Sequence, residues 1–127
     1  MSKEKQNSDL INTLITLAES SSKTSITPVS KRVKETVKEV LFKVLKDNPY
    51  TFKQYELFYE VHINKMGKPQ TLKLDSYMLA KSELCSLLGW GIHGDEHGKL
   101  ALVAVESKEY IELLNDSRVN KKKAYNK

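Results

Sequence analysis

One segment, residues 89–106, constrains the fold of this chain more than any other. It contains two apolar runs on either side of the sequence Asp-Glu-His-Gly at 95–98. Aspartate at the first position and glycine at the fourth are typical of a type I turn, and the glycine can adopt the positive φ of an adjoining bulge. The segment therefore predicts an antiparallel hairpin with strands at residues 90–95 and 99–106. The second strand is apolar on both faces, which is typical of a central strand covered on both sides.

The bulged turn sets a register in which His93 lies opposite Ala101. Gly91 is then opposite Val103, and because side chains alternate along a strand, Trp90 and His93 point to opposite faces. The small residues around His93 leave a shallow niche that can receive a small ligand. We favour the alternative in which a helix or the first strand fills the niche and a backbone carbonyl satisfies the imidazole. Trp90, between two glycines, is more typical of a core anchor than of a ligand platform.

The other elements are predicted from apolar spacing, helix caps and chain breakers. An amphipathic helix has the clearest pattern: its apolar stripe starts at Val33, Ser30 is its predicted N-cap, and Asn48-Pro49 ends it. Alternating apolar residues predict a second strand at residues 55–64. In the first part of the chain we predict a strand at residues 10–18 and a flexible Ser/Thr-rich loop at 19–28. The segment at 70–81 is ambiguous and contains one or two strands. Two further helices are predicted: a short one from Ser82 to 88, followed by a left-handed Gly89, and one from Ser107 to 115 that carries Tyr110, Ile111 and Leu114.

Together these elements predict an α+β fold. A mainly antiparallel sheet packs against one long amphipathic helix, with a short helix before the C-terminal hairpin and a helix after it. A chain of 127 residues normally forms one domain. We expect residues 1–9 to be a disordered N-terminus, residues 10–116 to form a single α+β domain, and residues 117–127 to be a basic disordered tail.

The net charge of +5 is concentrated at one end of the sequence. The last ten residues contain five cations and no acid, so the rest of the chain is formally neutral. The cations of this segment are Arg118, Lys121, Lys122, Lys123 and Lys127. A nucleic-acid-binding domain normally carries its basic face on the fold itself. We therefore favour a solvated tail, with weak, salt-dependent nucleic-acid binding through Arg118, Lys121, Lys122 and Lys123 as the alternative.

Composition indicates the compartment. No apolar run approaches the ~20 residues that span a bilayer, and the polar start of the chain has no signal-peptide core. The single cysteine, Cys85, cannot form an internal disulfide and fits a reducing environment as a buried, inert thiol. These features predict a cytoplasmic protein without a membrane partner.

Two classes of function remain open. In the first, the chain is a non-enzymatic module that binds a protein partner or a small ligand, with His93, Gly91 and Trp90 as candidate ligand-binding residues. In the second, it is an enzyme in which His93 is the acid or base and Asp95 orients its ring. Neutrality outside the tail and the lack of a second catalytic group in the sequence favour the first class. The other candidate surfaces are the Ser-rich loop and the predicted strand face with Phe58, Glu60 and His62.

Other chemistry has little support in the sequence. His93, Asp95 and His97 spell His-x-Asp-x-His, but His97 lies in the turn and the spacing matches no known zinc motif, so no metal is predicted. The glycines form no phosphate-binding or dinucleotide pattern, and no cofactor is predicted. The aromatic residues at 50–59 fit a base-stacking platform or a half-buried strand, and we favour the strand.

The string GWGIHGDEHGKLALVAVESKEY at residues 89–110 resembles a family of small uncharacterised bacterial proteins, a domain of unknown function. Its most specific part is the hairpin motif Gly-Trp-Gly-Ile-His-x-Asp-x-x-Gly-Lys. Further matches are Asn12-Thr13, Ala18-Glu19, Thr36-Val37 and Asn48-Pro49-Tyr50, so that the resemblance covers about residues 11–114. The chain departs from the pattern with Met78, Glu83 and Cys85. The resemblance implies a shared fold and implies no activity.

Overall fold

The computed structural model describes residues 10–28, 36–71 and 79–126. Four strands form one sheet in the order β3-β2-β1-β4, and helical segments cover both of its faces. In chain order the elements are β1 (Thr13–Thr16), α1 (Val37–Asp47), α2 (Gln54–Phe58), a π-helix (Tyr59–Lys65), a 3-10 turn (Leu79–Lys81), α3 (Glu83–Ser86), β2 (Trp90–Gly94), β3 (Leu100–Ala104), α4 (Lys108–Asn115) and β4 (Asn120–Lys123). The α+β class predicted from the sequence is confirmed.

The hairpin is formed by β2 and β3 in the predicted register. His93 is opposite Ala101, and Gly91 is opposite Val103. The Gly98 N–H donates to the Asp95 carbonyl at 3.0 Å, and Gly98 has a φ of 78°. The turn residues therefore set the register, as their sequence indicates.

The sheet is mixed rather than mainly antiparallel. β1 pairs antiparallel with β2, but on its other edge it pairs in parallel with β4. The sequence predicted a disordered tail from residue 117, and residues 120–123 instead form β4, because the open edge of β1 supplies hydrogen-bond partners to this backbone. The four side chains of β4 are exposed, and lysines on an edge strand oppose further strand pairing.

β3 is an edge strand, so the prediction of a central strand is wrong. Leu100, Ala101 and Val103 are nonetheless buried. The chain that follows α1 covers the outer edge: the Tyr50 N–H donates to the Leu100 carbonyl at 2.8 Å, and the Leu100 N–H donates to the Phe52 carbonyl at 2.9 Å. The apolar pattern of β3 thus reflects two covered faces and does not report its place in the sheet.

Residues 55–64 are helical, and the predicted strand is wrong. α2 continues directly into the seven-residue π-helix. Leu57, Phe58 and Val61 are buried at helical spacing and belong to the core that includes α1. Both an alternating and a helical apolar pattern are present in this segment, and packing against α1 selects the helical one. The proposed strand face with Phe58, Glu60 and His62 therefore does not exist.

The layer beneath the sheet is built from several short helical segments instead of one long helix. α1 has 11 residues and begins at a capping box, in which the Thr36 N–H donates to the Glu39 carboxylate at 2.8 Å. The predicted cap Ser30 and the stripe residue Val33 lie outside the described residues, as does most of the ambiguous segment at 70–81. The end of α1 at Asn48 and the caps Ser82 and Ser107 are confirmed.

Alternate residues of the strands face two different helical layers. Ile15 and Ile92 face the larger core with α1, α2 and α3, whereas Leu14 and Val103 face Tyr110 of α4. Of the apolar residues named on this predicted helix, Tyr110 is buried, whereas Ile111 and Leu114 are exposed. Within the described ranges, the structure has no helix both long and apolar enough to cross a membrane.

Candidate functional site

Trp90 is a structural anchor of the hairpin. Its indole N–H donates to the Ile26 carbonyl at 2.9 Å, and its ring meets that of Phe42 edge-on with centroids 5.2 Å apart. The Ile26 N–H in turn donates to the Leu88 carbonyl at 2.8 Å, so the Ser/Thr-rich loop is held against the sheet by these bonds. The only polar atom of the indole is therefore engaged within the protein, which argues against its use as a ligand contact.

Gly91 provides space for α4 on the opposite face. A Cβ atom at this position would lie 2.8 Å from Cε1 of Tyr110, so the tyrosine ring rests directly on the glycine backbone. The Tyr110 hydroxyl accepts the Leu17 N–H at 3.2 Å. A helix thus occupies the niche that the sequence predicts beside His93, in line with the favoured alternative.

His93 is bonded to a side chain, where the favoured interpretation expected a backbone carbonyl. Its Nδ1 lies 2.9 Å from the hydroxyl oxygen of Tyr50, and the two rings meet edge-on with centroids 5.7 Å apart. His93 is half-buried, and Tyr50 is 43% exposed. The two side chains form a hydrogen-bonded pair at the protein surface.

Tyr50 reaches His93 from an unusual backbone conformation. Its φ is 56°, a left-handed value that costs a residue with a Cβ about 1–2 kcal/mol. The hydrogen bond from its N–H to the Leu100 carbonyl and the bond of its hydroxyl to His93 hold it there. Strained residues of this kind concentrate at functional sites, so the conformation marks the Tyr50–His93 pair as the candidate site.

Both members of the pair are uncharged at neutral pH. Burial lowers the pKa of His93 below its usual 6.5, against the smaller opposing influence of Asp95 and Glu109. Burial raises the pKa of Tyr50 above 10, and the same two carboxylates raise it further. The site is therefore a neutral imidazole and a neutral phenol in a locally negative environment.

The pair retains one donor and one acceptor in either tautomer. If the Tyr50 hydroxyl donates to Nδ1, the imidazole presents Nε2–H as a donor and the phenol oxygen as an acceptor. If Nδ1–H donates to the phenol oxygen, the hydroxyl becomes the free donor and Nε2 the free acceptor. Among the described residues, no buried side-chain nitrogen or oxygen lacks a partner, and no hydrogen bond engages Nε2. Nε2 therefore faces solvent.

Asp95 is occupied by the turn. Its Oδ1 accepts the N–H groups of His97 and Lys99, each at 2.9 Å. The enzyme hypothesis took Asp95 as the group that orients His93, and in the structure the side chain bonded to the His93 ring is Tyr50. His97 is exposed and lies 3.2 Å from Glu96. In the part of the chain that the structure describes, no three potential ligands cluster to hold a metal ion.

Three of the four basic residues named in the nucleic-acid alternative have partners within the chain. Arg118 forms a two-point contact with Asp116, at 3.1 and 2.9 Å, and this contact lowers the pKa of Asp116 to about 2. Lys121 donates to the carbonyls of Asp116 and Val119. Lys123 lies 3.2 Å from Glu19. Lys122 is exposed on β4.

Sequence reasoning identified His93 but not its partner. Tyr50 is 43 residues away from His93 along the chain, and no spacing rule connects them. The one local signal is the helix-ending sequence Asn48-Pro49, because the residues just after a helix end commonly include one in the left-handed conformation.

Fold and site together define a small α+β domain with a neutral polar pair on one face of its hairpin. The chain belongs to a family of unknown function (DUF6157), whose model matches residues 5–127. The predicted resemblance to a domain of unknown function is thereby confirmed, and the match extends through β4. Neither the curated proteins nor the solved structures contain a match to this chain.

Proposed function

We propose that this chain is a binding module without enzymatic activity of its own, which recognises an uncharged polar group of a protein partner or a small ligand. The recognition element is the Tyr50–His93 pair. The observation that carries the proposal is the Tyr50 hydroxyl, held 2.9 Å from Nδ1 of His93 by a left-handed backbone. A strained residue that presents a polar group at the surface is typical of a preorganised site.

The chemistry of the pair favours a carboxamide. A primary amide offers a carbonyl acceptor and an N–H donor side by side, which complement the donor and the acceptor that the pair retains in either tautomer. Because the two rings are already fixed against each other, little side-chain ordering is needed on binding. The nearby carboxylates of Asp95 and Glu109 disfavour an anionic ligand, since their negative charge is felt at both Tyr50 and His93 and would repel it.

We also propose that the protein acts in the bacterial cytoplasm. The single thiol, Cys85, is fully buried, and burial raises its pKa to about 12. A thiol of this kind stays protonated and unreactive, and the absence of a second cysteine in the sequence excludes an internal disulfide. Both features fit a reducing compartment.

A titration with acetamide, followed by NMR at the imidazole protons of His93, tests the proposed function. We expect saturable shifts in the unmodified chain and about 2- to 10-fold weaker binding in Tyr50→Phe, which loses a hydroxyl and one hydrogen bond. Tyr125→Phe is the matched control, because Tyr125 is also exposed and belongs to no part of the site. Equal acetamide binding by Tyr50→Phe, or no saturable shift, contradicts the proposal.

The enzyme alternative is distinguished by turnover. A solvent-facing Nε2 with a lowered pKa is also what a general base requires. Hydrolysis of p-nitrophenyl acetate much faster than that given by free imidazole at the same concentration, and lost in His93→Gln, would show an acid–base enzyme and contradict the binding proposal. The binding proposal expects no more than the rate of free imidazole.

A further inference from the structure

A concave site separate from the Tyr50–His93 pair lies where α2 passes into the π-helix. It is a cleft of about 320 Å³, at the lower end of the size range of ligand pockets. Its lining includes three aromatic side chains, Phe52, Tyr55 and Tyr59, and two carboxylates, Glu56 and Glu60. We call it the aromatic cleft. It shares no lining residue with the Tyr50–His93 pair.

Helical spacing produces the two kinds of lining. Tyr55 and Tyr59 are four residues apart, as are Glu56 and Glu60, so rings and carboxylates form two adjacent rows. The tyrosine ring centroids lie 6.5 Å apart, with their planes inclined at 40°. One small group can therefore lie within about 6 Å of both rings, the range of cation–π contacts. The rows meet where the helix widens into π geometry, and π-helical turns are frequent at functional sites.

The carboxylates of the cleft are only partly engaged. Glu56 accepts the Lys53 N–H through Oε1 at 2.9 Å, and its other oxygen has no protein partner among the described residues. Glu60 accepts the Asn64 amide through Oε1 at 2.8 Å. Its Oε2 has a long contact of 3.7 Å to Lys65, whose side chain is 54% exposed. An ion pair of this length at the surface contributes little, so a cationic ligand can replace it.

The charge of the lining is of one sign. None of the described side chains that line the aromatic cleft is cationic, while two are carboxylates. Exposed tyrosine faces attract cations through the ring quadrupole, and Tyr55 is 47% exposed. This combination differs from an ordinary apolar groove, which has no preference for charge, and from a metal site, which requires more oxygen ligands than two separate carboxylates supply.

We propose that the aromatic cleft binds a small organic ammonium ion. The methylene or methyl groups of the ion contact the faces of Tyr55 and Tyr59, and its positive charge lies near Glu56 and Glu60. Recognition of quaternary ammonium groups by aromatic side chains follows the same physical rule.

The test compares choline chloride with 3,3-dimethylbutan-1-ol, its uncharged carbon isostere, by NMR titration of the full chain at matched ionic strength. Choline is expected to shift the ring protons of Tyr55 and Tyr59 saturably, and the isostere is expected to bind about tenfold more weakly or less. Equal affinity for the isostere would make the cleft an unspecific apolar groove and overturn the proposal. The absence of saturable shifts with choline would overturn it too.

Variants locate the binding. Tyr55→Ala is expected to weaken choline binding about 2- to 30-fold, the range of cation–π energies, while Tyr55→Phe keeps the ring and should bind as the unmodified chain does. Tyr125→Ala is the matched control, because Tyr125 is equally exposed at 47%.

Glu60→Gln should also weaken choline binding, with Glu112→Gln on α4 as its control. Unchanged affinity in Tyr55→Ala would contradict the assignment, and Tyr50→Phe should leave choline binding intact whatever its effect on acetamide.

Discussion

The two faces of β2 differ in what their side chains accomplish. On one face, Ile92 is fully buried in the larger core and Trp90 is fixed by Phe42 and by the Ile26 carbonyl. On the other face, Gly91 lies under Tyr110, and His93 is half-buried with one ring nitrogen towards solvent. Because side chains alternate along a strand, the residues of β2 that stabilise the core lie on one face and the candidate site lies on the other.

The difference arises from the size of the side chains. On the first face, the large side chains of Ile92 and Trp90 pack into the larger core. The small residues Gly91 and Ala101 on the second face allow two tyrosines, Tyr110 and Tyr50, to approach the strand from different elements. The small residues beside His93 therefore leave space that side chains from distant parts of the chain occupy. The niche predicted from the sequence is filled by other parts of the fold.

The largest effect is expected on the buried face. Ile92→Ala should lower the free energy of unfolding by about 2–5 kcal/mol, because it leaves a cavity in a closely packed core. Urea denaturation followed by circular dichroism measures this loss. Leu102→Ala is the matched control: Leu102 pairs with Ile92 across the hairpin but is only half-buried, so its loss should be smaller. Equal losses would show that the two positions are packed alike.

A smaller loss is expected on the second face. Gly91→Ala should lower the free energy of unfolding by about 1–3 kcal/mol, since its Cβ would lie 2.8 Å from the Tyr110 ring and 3.2 Å from the Ile15 carbonyl. The loss should decrease in a Tyr110→Leu background, which gives a coupling between the two positions. Additive losses in the double variant would mean that the ring does not rest on Gly91.

The smallest effect concerns pH. Because the pKa of His93 is lower in the folded chain than its unfolded value near 6.5, the unfolded chain binds protons more readily there, and stability falls as pH drops from 6.5 through the folded pKa. His93→Gln should make the free energy of unfolding less dependent on pH in this window. Some dependence of the same sign should persist, since burial and Lys68 lower the pKa of His62 as well. An unchanged pH dependence in His93→Gln would show that the imidazole is equally solvated in both states.

The sequence predicted correctly the elements that depend on interactions between neighbouring residues, namely the hairpin turn and the helix caps. The hairpin register follows from the turn residues at 95–98, and the caps Ser82 and Ser107 begin their helices as expected because each oxygen accepts a free N–H of the first turn. The segment at 55–64 satisfied two periodicities at once, and only packing against α1 distinguishes them. β4 had no apolar pattern to reveal it, since its formation depends on the open edge of β1.

Of the two residues of the candidate site, His93 was predictable from the sequence and Tyr50 was not. The alternation of β2 placed His93 beside small residues and opposite to Trp90, which the structure bears out. The assignment of Asp95 as its orienting group failed because a short carboxylate next to a turn bonds to the nearest N–H groups. Tyr50 is brought to His93 by the end of α1 and the covered edge of β3, which are tertiary features.

The parallel pairing of β1 with β4 has a consequence for biosynthesis. Thr13 and Asn120 are register partners, so β1 leaves the ribosome long before either neighbouring strand has been translated. Contacts so distant along a chain slow folding and leave an unpaired strand accessible in the meantime. The parallel half of the sheet can therefore form only after the last strand of the chain, β4, has been synthesised.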